Sequence, residues 1–200
     1  VGTRLYFTAN DGTTGSELWA YETTNDTAWL VTDINSGAGG SSPEYLVTVG
    51  TRLYFAADDG TNGIELWAHE STNGTTWQAA DIRSGSAHSN PKYLAVVGTR
   101  IYFQADDGGG NGTVLWAHES TNGTSWFDVS ARHASFLTTI GTRIYFRASD
   151  GTYGSEIWAL ETTNDTSWRV SDINSGGHSF PEHLTVMGTQ IYFSADNGTT

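Results

Sequence analysis

All eight tryptophans of this chain fall into four pairs at the same spacing of ten residues: Trp19 and Trp29, Trp67 and Trp77, Trp116 and Trp126, Trp158 and Trp168. Tryptophan is large and amphipathic, so its placement at one spacing four times marks a structural module copied along the chain. A short polar stretch joins each pair, Thr24-Asn25-Asp26-Thr27 in the first copy and Thr72-Asn73-Gly74-Thr75 in the second. Asparagine, aspartate and glycine tolerate the positive φ of a tight turn, so each pair reads as two strands meeting at a hairpin.

The glycines of Val-Gly-Thr-Arg and its variants set the period. Gly2, Gly50, Gly98, Gly141 and Gly188 are separated by 48, 48, 43 and 47 residues. Short strands at this period, without a 3.6-residue pattern, belong to the range of β-propeller blades. Each repeat reads as four strands. The first is Tyr45 to Val49, with copies beginning at Tyr93, Phe136 and His183. The second is Arg4 to Thr8, with copies beginning at Arg52, Arg100, Arg143 and Gln190. It is apolar on both faces, as a strand buried between neighbouring blades would be. The third runs from Glu17 to Tyr21 and the fourth from Trp29 to Ile34, followed by a glycine-rich loop that Pro43 closes.

The expected fold is therefore all-β, a β-propeller-like array of four-stranded antiparallel blades with four full repeats and a partial fifth. The chain reads as a single repeat domain over 1–200, divided into 1–48, 49–96, 97–139, 140–186 and the partial repeat 187–200. The second strand occurs five times and the others four times, which leaves Gln190 to Thr200 surplus to a closed ring of four. Either further blades lie outside this chain or strands are exchanged between subunits, since a free aromatic edge invites pairing. The chain opens at Val1 and stops at Thr200 inside repeats, as a processed chain or a window from a longer one would.

The stretch Leu5-Tyr-Phe-Thr-Ala-Asn-Asp-Gly-Thr-Thr-Gly-Ser-Glu-Leu-Trp19, followed by Asp33-Ile-Asn-Ser-Gly37, resembles the Glu-Leu-Trp repeats of large prokaryotic secreted and cell-surface proteins, which are similar to β-propeller blades. The resemblance covers the whole chain and implies an extracellular or cell-surface location. The usual Asp-Gly-Thr after the tryptophan is replaced here by the longer Glu22-Thr-Thr-Asn-Asp-Thr27 hairpin.

Charge narrows the partners. With 22 acidic residues against nine lysines and arginines, the formal net charge is −13, which argues against binding a nucleic-acid backbone. There is no cysteine, hence no disulfide framework and no thiolate metal site or nucleophile. No apolar run approaches the roughly 20 residues that span a bilayer, so membrane insertion is not expected.

Candidate sites each have a bland counterpart. The first tryptophan of each pair lies in mid-strand and reads as blade packing. Trp29, Trp77, Trp126 and Trp168 follow the hairpin on an outer strand and are the ligand-contact candidates, as stacking platforms for a sugar. Arg4, Arg52, Arg100 and Arg143 recur with Glu22, Glu70, Glu119 and Glu161, and read as cross-strand ion pairs worth about 0.2–1 kcal/mol each. The loops holding Asp11 with Glu17 and Asp59 with Glu65 resemble a short calcium loop, without the full EF-hand spacing and with Val114 in place of the glutamate in the third repeat. No cofactor is otherwise called for. Asn-x-Thr sequons at Asn25, Asn73, Asn111, Asn122, Asn164 and Asn197 make N-glycosylation the most concrete chemical expectation, four of them at the same hairpin tip.

No serine stands in a nucleophile-elbow context and no histidine pair has zinc-ligand spacing, so no catalytic residue is assigned. The expected function is a non-enzymatic structural or cell-surface module, glycosylated and self-assembling through its incomplete end blades, with self-association or other surface proteins and glycans as partners. A carbohydrate-binding, lectin-like adhesion module is the alternative. The third repeat departs most from the pattern, losing Asp-Ile-Asn-Ser-Gly and keeping only Ser130-Ala-Arg-His133.

Overall fold

The computed structural model describes residues 1–110 and 112–199, apart from the side chains of Val129 and Ser130. It is all-β: strand makes up 55% and helix none. The strands are β1 (Arg4–Asn10), β2 (Ser16–Glu22), β3 (Thr27–Thr32), β4 (Glu44–Val49), β5 (Arg52–Asp58), β6 (Ile64–Glu70), β7 (Thr75–Ala80) and β8 (Lys92–Val97). They continue with β9 (Arg100–Ala105), β10 (Val114–Glu119), β11 (Thr124–Ile140), β12 (Arg143–Ser149), β13 (Glu156–Glu161), β14 (Thr166–Arg169), β15 (Glu182–Met187) and β16 (Gln190–Ser194). The chain divides into two compact units, Val1–Lys92 with Asp106–Gly108, and Tyr93–Ala105 with Gly109–Thr200.

The first unit holds a three-stranded sheet, β1-β2-β3, and a four-stranded sheet, β4-β5-β6-β7. Neighbouring strands are antiparallel, as short polar hairpins dictate. Phe7 stands opposite Trp19 and Phe55 opposite Trp67, so each Leu-Tyr-Phe strand sets its phenylalanine beside the first tryptophan of its own repeat. Leu18, Leu53, Phe55 and Ala57 form the buried core, with Tyr6, Val31, Ile34, Leu46 and Trp67 packed on it. The central strand β5 is buried on both faces, as its unbroken apolar run predicts.

The second unit holds a seven-stranded sheet in the order β14-β13-β12-β11-β10-β9-β8 and a hairpin, β15-β16. Its middle strand corrects the sequence reading, in which a short connection at 130–133 separates two strands. Instead β11 runs through 17 residues without a loop. Its first half pairs with β10, from Glu119↔Thr124 to Leu115↔Asp128, and its second half with β12, from Arg132↔Ser149 to Ile140↔Arg143. Without Asp-Ile-Asn-Ser-Gly there are too few residues to turn out and back, so the chain goes straight across. Tyr102, Leu115, Ile144, Phe146, Trp158 and Leu160 form the core beneath it, with small Ala131 and Ala134 where the strand crosses.

One backbone device recurs without a sequence signal. The second residue of β4, β8 and β15, and its counterpart within β11, has positive φ: 56° at Tyr45, 57° at Tyr93, 57° at His183 and 56° at Phe136. At β4, β11 and β15 the ladder register shifts across that residue. Side chains other than glycine rarely adopt this conformation, so packing must hold it.

Candidate functional site

Four copies of one surface cluster follow from the hairpin register. Arg4 stands opposite Glu22, Arg52 opposite Glu70, Arg100 opposite Glu119 and Arg143 opposite Glu161, as the sequence pattern predicts. The Nε–Oε2 separations are 3.5, 3.3, 3.3 and 3.1 Å in that order. Each guanidinium also lies over the second tryptophan of its repeat, 5.5 Å from the Trp29 ring, 5.8 Å from Trp77, 5.2 Å from Trp126 and 5.6 Å from Trp168. Burial works to raise the pKa of Glu70, but hydrogen bonds from Thr51, Thr72 and Arg52 outweigh it and hold it at about 2. The ligand-contact candidates thus have one ring face occupied by an arginine of their own repeat.

Of the four, Trp126 also borders a cavity. Tyr102, Trp116, Trp126, Phe127, Leu160, Asp128 and Asp165 enclose about 190 Å³. The Trp116 and Phe127 rings lie 4.9 Å apart at 37°, and Phe127 is 43% exposed, forming an aromatic lip. Asp165 accepts from Arg100 Nη1 at 3.1 Å, and the same nitrogen donates to the Thr162 carbonyl at 2.9 Å. Asp128 accepts from the Ser167 hydroxyl. Burial pushes the Tyr102 phenol up, Arg100 opposing and Asp165 reinforcing the shift. Aromatic walls with two carboxylates at the edge suit a flat apolar group that carries a positive charge. Phe127 and Asp128 escaped the sequence reading. Their signal is a departure from the repeat: after the second tryptophan the other copies have Leu30-Val31, Gln78-Ala79 and Arg169-Val170.

The glutamate of Glu-Leu-Trp turns inward. Glu17, Glu65 and Glu156 are completely buried. Glu65 accepts from Ser89 N at 3.1 Å, Ser89 Oγ at 2.7 Å and Ile82 N at 2.8 Å. Glu17 is met in the same way by Ser41, Ile34 and Asn35, and Glu156 by Ser179 and Ile173. The carboxylate closes the Asp-Ile loop onto the third strand. Where Val114 replaces it, that loop and the serine are both gone, and Arg132 stands at the position of Ser41, Ser89 and Ser179.

Asp11 and Asp59, the other calcium candidates, serve their own turns. Asp11 Oδ1 accepts from the Thr13 and Thr14 N–H groups at 2.8 and 2.9 Å, which hold its carboxyl well below the usual range. Asp59 Oδ1 accepts from Thr61 and Asn62 N–H at 2.8 and 2.7 Å. Among the described residues no group of three His, Asp or Glu side chains is placed to hold a metal ion. In the sequons at Asn25, Asn73, Asn122, Asn164 and Asn197, the asparagine Oδ1 accepts from the hydroxyl of the threonine two residues on, at 2.6, 2.8, 2.8, 2.6 and 2.6 Å. The sequon is thus also an Asx turn at an exposed position, a hairpin tip in the first four cases. Asn111 lies outside the described residues.

No protein-family model matches the chain, and no curated protein sequence matches it. Solved structures do. Puromycin hydrolase has a TM-score of 0.62 at 17% identity, over 92% of this chain and 30% of that one. TolB from Acinetobacter baumannii has a TM-score of 0.56 at 12% identity, over 90% of this chain and 43% of that one. A structure from a study of two prolyl endopeptidases has a TM-score of 0.57 at 10% identity, over 100% of this chain and 26% of that one. The chain thus spans less than a third of the length of the two peptide- and puromycin-cleaving proteins. The likeness establishes an all-β, β-propeller-like fold. It also corrects the expectation of a non-enzymatic module, in both its structural and its lectin-like forms: structures of this type include hydrolases and peptidases. The physical reason is that paired tryptophans and hairpin tips report how sheets pack. An enzyme needs that packing as much as a surface scaffold does.

Proposed function

We propose that this chain is a β-propeller-type portion of a hydrolase acting on peptide-like substrates, its sheets being blades of the Glu-Leu-Trp repeat. The fold likeness to puromycin hydrolase and a prolyl endopeptidase over 92% and 100% of this chain supports the reading. The cleft at Trp126 carries it further, because aromatic walls beside Asp128 suit an aromatic group next to an ammonium, as at the amino end of a short peptide. The chain's part in catalysis is then to receive and orient such a group.

Titration of the tryptophan fluorescence with Phe-Gly-Gly tests this. Binding is expected, and acetylation of the peptide amine or the change Asp128→Asn should weaken it about tenfold, the worth of one charge-assisted contact. Equal binding of free and acetylated peptide, or no binding of either, would sink the reading.

A further inference from the structure

The break in the repeat at β11 leaves a second hollow, of about 440 Å³, lined by Arg132, His133, Ser149, Ser155, His178 and four glycines. Its chemistry is opposite to that of the chain as a whole. In a protein with net charge −13, no carboxylate among the described residues lines it. Arg132 is the key group. Arg4, Arg52, Arg83, Arg100, Arg143, Arg147 and Arg169 each form an ion pair with an aspartate or glutamate, whereas Arg132 forms none among the described residues.

Two substitutions account for this. The fully buried Glu17, Glu65 and Glu156 are replaced in this repeat by Val114, and the aspartates at the end of the second strand, Asp58 and Asp106, have Ser149 as their counterpart. Arg132 pairs across the ladder with Ser149. The carboxylate beside it, Asp150, is committed to its own loop, accepting from Thr152 and Tyr153 N–H at 2.8 and 3.0 Å. The remaining groups add donors. Ser155 N–H donates to His178 Nδ1 at 2.9 Å, so the neutral ring carries its proton on Nε2. Stacking on Phe180, 4.9 Å away at 14°, holds that ring in place. Ser149 Oγ accepts from Gly151 N–H at 3.1 Å, which leaves its own proton for donation.

We propose that this hollow binds the oxyanion group of a small molecule, a carboxylate or a phosphate, with Arg132 as the charged anchor and Ser149 and His178 as neutral donors. A guanidinium with no ion pair among the described residues, set among hydroxyl, imidazole and glycine-rich backbone, is the donor set such a group requires. The proposal stands apart from the hydrolase reading, since the Trp126 cleft shares no residue with this hollow.

Calorimetric titration of the full chain with inorganic phosphate and, separately, with N-acetylglycine tests it. One of them should bind in the millimolar range or tighter, and the tighter one identifies the source of the oxyanion. Arg132→Gln should weaken binding about ten- to a hundredfold, the range for a charge-assisted pair. Arg83→Gln, which removes a paired arginine, should not. Amide shifts of Gly151, Gly154 and Gly176 in the unaltered protein should move with the same affinity, which keeps the test independent of how the variants fold. No binding of either anion, undiminished binding by Arg132→Gln, or shifts confined to other residues would overturn the proposal.

Discussion

Replacing Glu65 by valine, the residue that stands at this position in the third repeat, should be among the most damaging single changes to the fold. Glu65 is completely buried and receives three hydrogen bonds, from Ser89 N, Ser89 Oγ and Ile82 N. Valine offers no acceptor. Ser89 N–H and its hydroxyl can fall back on the Ile64 carbonyl, at 3.1 and 3.2 Å, but among the described residues Ile82 N–H has no such second partner. A buried donor left without an acceptor costs about 1–3 kcal/mol, and the weakened Ser89 contacts add to it, so a loss of about 2–4 kcal/mol is expected. For a chain of this size that corresponds to a fall in melting temperature of about 5–15 °C, measurable by tryptophan fluorescence or circular dichroism. Ser89→Ala should cost about 1 kcal/mol alone, and the double variant less than the sum, because the two side chains share their bonds. Burial raises the Glu65 pKa. The contribution of its protonated form is complete below the unfolded value and is lost as pH rises through the raised folded one, so the gap to the valine variant should narrow over that window. A melting change within a degree, or strict additivity with Ser89→Ala, would show that the carboxylate does not hold the loop.

Three further outcomes follow from the structure. The Arg52–Glu70 pair should give a coupling of about 0.2–1 kcal/mol in a double-mutant cycle. Glu70 sits below its ordinary pKa, so its contribution is present above the unfolded value and lost as pH falls towards about 2; acid titration of stability with and without Glu70→Gln checks this. Gly63→Ala should be far worse than Gly74→Ala. Both glycines have a φ of +75°, but a Cβ at Gly63 would lie 2.3 Å from the Ala87 carbonyl oxygen, whereas at Gly74 it would meet nothing within 4 Å. Urea unfolding of the two variants should place Gly74→Ala about 1 kcal/mol down and Gly63→Ala well beyond that, and equal losses would refute the close approach.

Much of the architecture was legible because the period is local. The hairpin tips at Asn25, Asn73, Asn122 and Asn164 mark where the third and fourth strands of each repeat turn, and the short loop after Asp58 sets Arg52 opposite Glu70. The sites were far less legible. Trp126 was singled out with Trp29, Trp77 and Trp168 because all four share a pattern, yet what makes it border a cleft includes Phe127 and Asp128, which share none. Glu17 and Glu65 looked like cation ligands because an acidic residue in a glycine-rich loop carries no mark of which way it points. The same blindness produced the non-enzymatic reading, since repeated packing residues outnumber and mask the few that differ.

By itself the sequence determined the β class, the places of most hairpin turns and the Arg–Glu cross-strand register, because hairpins and side-chain alternation act over a few residues. Tertiary structure alone decided the inward turn of Glu17, Glu65 and Glu156, the continuous crossing of β11 and the positive φ at Tyr45, Tyr93, Phe136 and His183. It also decided the isolation of Arg132 from every carboxylate among the described residues that pairs with the other arginines. The buried glutamates show the reason: they depend on groups well beyond one turn or hairpin meeting in space, as Ser89 meets Glu65 across a separation of 24. Burial and pairing at such a distance are properties of the packed sheets, and no local pattern encodes them.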